Sequence, residues 1–141
     1  MKPNAKAAYR HKMGLARTQY VRGDLVRAVY HLERAHILGQ RYFWAHAISH
    51  VWMLRIAWRR NDQREVFGQV TRLVATIPGY IFGWVPVGNT GGANVSPIQP
   101  MPIPSDLLPY FVGYSVRREM TLRVFLLAAF VLLGYGLARL H

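Results

Sequence analysis

The chain reads as an all-α protein made of two TPR-like helical hairpins, an ordered Gly/Pro-rich strap and a C-terminal hydrophobic helix. Three observations predict this. Apolar residues recur at helical spacing in four stretches, punctuated by Gly23-Asp24, Gly39-Gln40 and Asn61-Asp62. A Pro- and Gly-rich segment, residues 78–110, then shows neither helical nor strand periodicity. Finally, residues 124–138 contain no charged side chain. The expected organisation is a four-helix region over 1–77, a strap over 78–116 and an anchor helix over 117–141.

The first helix is expected over residues 5–22, with Ala8, Met13, Leu15, Ala16 and Tyr20 on its less polar side. Gly23 supplies a permissive backbone at its end, and Asp24 can cap the next helix. The second helix, 25–38, carries Leu25, Ala28, Leu32 and Ala35 on one stripe and stops at Gly39-Gln40. A third runs from about 43 to 60, and a fourth from about 64 to a stop at Pro78-Gly79. Aligning Gly23 with Asn61 gives an offset of 38 residues, close to a tetratricopeptide repeat. Bulky Met53, Leu54, Val66, Val70 and Leu73 in the second unit replace small residues, which predicts a more splayed hairpin. Two such units fall short of the roughly three needed for independent stability, so another surface should cover the open end.

The strap is too long for an ordinary connection, and such loops are usually functional or mobile. Tyr80, Ile81, Phe82, Trp84, Val85 and Val87 make it too apolar for a solvated linker, so it should lie over the hairpins. The tail from residue 120 to 141 would extend about 33 Å as a helix, matching the roughly 30 Å of a bilayer core. It is apolar all round, which favours a membrane over a helix closing a soluble core. Arg117, Arg118 and Arg123 precede it and only Arg139 comes after, so the body should remain cytoplasmic on a single-pass anchor.

Eighteen Lys and Arg against six Asp and Glu give a formal charge of +12. That excess attracts polyanions, and beside an anchor helix anionic lipid is a more economical partner than nucleic acid. Trp52 and Trp58 are six residues apart, so they cannot share one face with the neighbouring arginines as a stacking platform. The absence of cysteine excludes disulfides, thiolate metal sites and cysteine nucleophiles. None of the four serines sits in a nucleophile elbow. Asp24, Asp62 and Asp106 read as helix caps, leaving few carboxylates for acid-base work.

The stretches HLERAHILGQ, WRRNDQREVFGQ, PVGNTGG and PMPIPSDL, in that order, resemble the bacterial Domain of Unknown Function 3703 family over about residues 5–110. The resemblance implies no activity. It implies that the histidine-bearing helices and the strap belong to one unit, and the hydrophobic tail lies outside it.

Chemistry concentrates between residues 31 and 52, HLERAHILGQRYFWAHAISHVW. If the chain reverses near residue 41, His36 meets His46, and the level of Glu33 meets His50. His46 and His50, at i and i+4, share one face, as do Glu33 and His36 at i and i+3. Glu33, His36, His46 and His50 are therefore a candidate ligand set for zinc or another divalent ion. His31 points elsewhere, about 140° round the helix from His36. The competing reading is a hydrogen-bonded structural cluster, with Glu33 paired to Arg34 or Arg41. The loop carrying Gly88, Asn89, Gly91 and Gly92 lacks the Lys-Ser/Thr of a phosphate loop and reads as successive turns, with a backbone anion nest as the alternative.

Three functions are expected on this basis. The first is a membrane-anchored scaffold that presents a partner protein with a concave surface. The second is a divalent-metal-handling accessory protein, and the third a metal-dependent enzyme at the membrane. A homo-oligomer is compatible with each.

Overall fold

Helical spacing, capping residues and turn residues combine to give five α-helices among the described residues, α1 (Pro3–Arg22), α2 (Leu25–Gly39), α3 (Phe43–Arg59), α4 (Gln63–Phe82) and α5 (Val116–Ala138). They are seen in a computed structural model that describes residue 1 and residues 3–139. The last two residues of the expected tail, Leu140 and His141, lie outside the described residues, as does Lys2. No strand occurs among the described residues.

The first four helices pack in chain order, α1 on α2, α2 on α3 and α3 on α4. Two of the turns are built alike. Gly23 and Asn61 both take positive φ, 84° and 53°. In each turn the next residue's N–H reaches back five positions, Asp24 to the Gln19 carbonyl and Asp62 to the Ala57 carbonyl, both at 3.0 Å. The same aspartates then cap the following helix, accepting from the Arg27 and Glu65 N–H at 3.0 Å. Asp106 is not a cap. Its carboxylate lies 2.7 Å from the Arg34 guanidinium and 3.7 Å from Lys12, pinning the end of the long loop onto α1 and α2. Those cations hold its carboxyl below the usual range.

The main core is formed by Met13, Ala16, Ala28, Leu32, Ala35, Met53 and Ile56, which includes most of the stripe expected on the second helix. Trp52 stands edge-on to Tyr20, 5.6 Å between ring centres, whereas Trp58 is exposed. A second cluster joins Ile37 and Leu38 to Leu107 of the loop, beside a short 3-10 turn at Leu108–Phe111. Gly39 allows the reversal through its small size. A Cβ there would sit 3.0 Å from the Tyr9 ring and 3.1 Å from the Ala45 methyl, so even a methyl group would require α1 or α3 to give way slightly.

The fourth helix is longer than the sequence suggests. It passes through Pro78 and ends at Phe82, capped by left-handed Gly83. Proline's φ suits a helix; its cost is the missing N–H that would bond the Val74 carbonyl. The apolar run Tyr80-Ile81-Phe82 carries the helix past that gap to a residue that can turn left-handed.

Helix α5 is long and apolar enough to cross a membrane, about 35 Å for its 23 residues. Its apolar side chains are not packed into the body, and Phe130 is 76% exposed. It touches the body at its amino end. Glu119 lies 3.7 Å from Arg41 and 3.6 Å from Arg123, and Arg123 donates to the Tyr80 carbonyl at the end of α4.

Candidate metal centre

The reversal after Gly39 brings three imidazoles from two helices together. The ring centres of His36, His46 and His50 are 4.7 Å apart in all three pairs, an equilateral arrangement. One nitrogen from each lies within 4.8 Å of the other two. Zinc at about 2.0–2.1 Å from each of three nitrogens needs tetrahedral edges of roughly 3.3–3.4 Å. The His46 and His50 Nε2 atoms are already 3.0 Å apart. For the group as a whole the limit is 4.8 Å, so the rings would have to draw closer to form such a set.

The hydrogen bonds determine which nitrogens are free. His36 Nδ1 lies 3.0 Å from the Asn89 carbonyl, which can only accept, so Nδ1 carries the proton and Nε2 the lone pair. That Nε2 is buried and has no hydrogen-bond partner among the described residues. Gln69 fixes His50 in the same way. Its amide nitrogen donates to Glu65 at 2.6 Å and to the Gly91 carbonyl at 2.9 Å, so its oxygen faces His50 Nδ1 at 2.6 Å and accepts that proton. His50 Nε2 is then an acceptor, which His46 Nε2 can supply with a proton. Outer partners on the far nitrogen, as metal-binding histidines typically have, thus hold His36 and His50, whereas His46 would have to move its proton to Nδ1 to offer a third lone pair.

Burial is the first cause that keeps all three neutral. It holds His36 far below its ordinary value, His46 at about 3 and His50 at about 4, and the nearby Arg72 guanidinium depresses each further. Neutral imidazole is the form that binds metal. Arg72 itself is committed elsewhere, donating to the Gly92 and Val95 carbonyls at 2.8 and 2.5 Å.

Glu33 does not join this group. Its carboxyl lies on the α2 face toward Glu65, Gly92 and Asn94, where burial and the Glu65 charge raise its pKa. Neither expected pairing of Glu33 forms, since Arg34 is engaged by Asp106 and Arg41 by Glu119. His31 stays apart from the group, against Tyr30. The Gly88 to Gly92 loop is the backing of the site. Asn89 supplies the carbonyl for His36, its side-chain nitrogen donates to the Ser96 and Gln99 carbonyls at 2.8 Å, and its oxygen accepts from the Gly91 N–H at 2.9 Å. The Gly91 amide that an anion nest would use is thus already engaged.

Gly91 faces His36 at φ +85°, and a Cβ there would lie 2.9 Å from Nε2. Gly91→Ala is therefore expected to cost about 1–3 kcal/mol through backbone strain and to push His36 off the shared point. Thermal melting combined with a zinc titration checks this; unchanged melting and unchanged zinc affinity would refute the packing described.

The histidines border a cavity of about 400 Å³ between α4, the amino end of α5 and the loop. Its lining is chiefly aromatic and aliphatic, and its one carboxylate among the described residues, Glu119, is ion-paired. Gln69 and Gln40, both important here, carry no motif that marks them in the sequence. The signal for Gln69 is its place in a polar stripe at helical spacing, Glu65, Gln69, Arg72 and Thr76, of which α4 buries the last three.

Comparison with known proteins finds one family model, described as a protein of unknown function (DUF3703), that matches residues 3–111. The matched span contains all three histidines, Gln69 and Asn89, and ends before α5. No curated protein and no solved structure matches the chain.

Proposed function

We propose, for a chain that belongs to the DUF3703 family of proteins of unknown function, that it is a membrane-anchored accessory protein that binds a divalent metal, zinc foremost, through His36, His46 and His50. The observation that carries this reading is the buried, partnerless Nε2 of His36 in a ring 4.7 Å from two further imidazoles, one of which, His50, has its proton fixed by Gln69. A purely structural histidine cluster would be expected to satisfy that atom, because leaving it bare costs about 1–3 kcal/mol. Three nitrogens leave a fourth position toward the cavity. Among the described residues the one carboxylate lining that cavity, Glu119, is ion-paired, so no free carboxylate stands beside the triad as a general base, which favours metal handling over metal-dependent hydrolysis.

The anchor reading draws on the exposed apolar surface of α5, and the cytoplasmic placement on Arg117, Arg118 and Arg123 ahead of it. The body is read as two TPR-like hairpins under a Gly/Pro strap, supported by the twin turns at Gly23-Asp24 and Asn61-Asp62. A second reading, an adaptor for a partner protein, rests on a separate feature. Phe67, Val70, Val74, Ile77 and Ile81 form an exposed apolar row along α4 at alternating spacings of three and four.

The deciding measurement is elemental analysis of full-length protein extracted from membranes without a polyhistidine tag. Near-stoichiometric metal is expected. Metal-free protein that also fails to take up added zinc would remove the metal reading and leave the adaptor.

A further inference from the structure

We infer that the cavity beside the imidazole triad is a binding site for a single-chain amphiphile drawn from the membrane interface, whose hydroxyl or carboxyl head meets Gln40 and the triad. Gln40 is the observation that asks for such a head. It is 3% exposed, lines the cavity, and neither its amide nitrogen nor its oxygen has a hydrogen-bond partner among the described residues. A group that both accepts and donates would satisfy both atoms at once, and hydroxyl and carboxyl are the simplest that do. His36, whose Nε2 has no partner among the described residues, lines the same space.

The remainder of the wall selects the tail. Tyr80, Phe82, Trp84, Pro86 and Ile98 face the cavity, so most of any occupant must be hydrocarbon. At about 30 Å³ per heavy atom, the share of a water in the liquid, 400 Å³ holds roughly a dozen such atoms. That suits one medium chain.

The position of the opening indicates where the ligand comes from. Glu119 and Arg123, in the first two turns of α5, belong to the cavity wall. The uncharged run of α5 begins at the next residue, Val124. Around the junction Trp44, Tyr80, Phe82 and Trp84 are exposed, as aromatic residues are at a membrane–water boundary. The mouth therefore sits at headgroup depth, where a partitioned amphiphile is concentrated. The inference rests on the anchor reading for the source of the ligand, and on the metal reading only for the contact between the head and the triad.

The test uses full-length protein in phosphatidylcholine nanodiscs, with tritiated decanoic acid and 1-decanol as probes and empty nanodiscs as the reference. Saturable binding near one per chain is expected for at least one probe. Gln40→Leu should weaken it about tenfold, the worth of a lost hydrogen-bonded contact. Ala75→Trp should block it, because Ala75 lines the cavity from an exposed position on α4 where a large side chain does not disturb the core. Circular dichroism confirms that both variants remain helical. Probe binding no greater than in empty nanodiscs, or binding indifferent to Ala75→Trp, would overturn the proposal. A zinc titration run in parallel separates the two ideas. Binding of the probe in EDTA by a protein that takes no zinc supports the cavity and removes the metal centre alone.

Discussion

His36→Ala is expected to lower zinc affinity by about 100-fold or more while the helical body stays folded. The substitution removes one of three ligands and leaves the Asn89 carbonyl without its donor, a stability cost of about 1–3 kcal/mol. The informative companion is Gln69→Leu, which touches no ligand atom. It leaves His50 Nδ1 without the oxygen that fixes its proton, and it frees Glu65 and Gly91 from the same amide. An outer partner of this kind is worth about 10- to 100-fold in metal affinity. His31→Ala, on a different face of α2, should change nothing. Competition titration with a chromogenic zinc chelator gives all three affinities. If His36→Ala held zinc as tightly as the parent, the triad would not be the site.

Acid is expected to unfold the metal-free protein well above the pH at which its own buried histidines titrate. His46 and His50 take protons at about 3 and about 4 in the fold, and His36 is also held far down, chiefly by burial. Once unfolded, all three return to about 6.5. Between those values the unfolded chain binds protons that the folded chain refuses. Stability is thus complete above about pH 6.5 and declines as pH falls toward 4, by about 1.4 kcal/mol per pH unit for each histidine. Three together remove about 4 kcal/mol per unit, against the 5–15 kcal/mol typical of a folded domain. Saturating zinc should restore much of the loss, because the metal binds the folded neutral set. Urea titrations at pH 7.5, 6 and 5, with zinc and with EDTA, measure this. A metal-free protein equally stable at all three values would show that the imidazoles are not buried uncharged.

The pairing of His36 with His46 and His50 is legible in the chain because it depends on one local event, the reversal between Gly39 and Tyr42. Spacing along two neighbouring helices then does the rest. Glu33 illustrates the limit of that reasoning. It stands three residues from His36, but three residues leave a 60° offset round a helix, enough to turn its carboxyl toward Glu65. Gln69 lies across the α3–α4 turn from His50, as His46 lies across the α2–α3 turn from His36, but no motif draws attention to a glutamine. Asn89 is out of reach for a different reason. Its contact to His36 spans 53 residues and depends on how the loop closes over the hairpins. Local periodicity carries no information about such closures. Pro78 misleads because its steric signature is that of a helix breaker, while the helix end is set by the residue able to turn left-handed, Gly83. Asp106 looks like the two aspartates that do cap, and only its distance from Arg34 and Lys12 in space separates them.

His36 comes from the end of one hairpin and His46 and His50 from the start of the next, so the triangle exists only where two hairpins abut. Neither half of the molecule holds it alone. Had the chain arisen by doubling an ancestral hairpin, the imidazole triangle would be younger than the doubling, an invention of the joint and not an inheritance from either half.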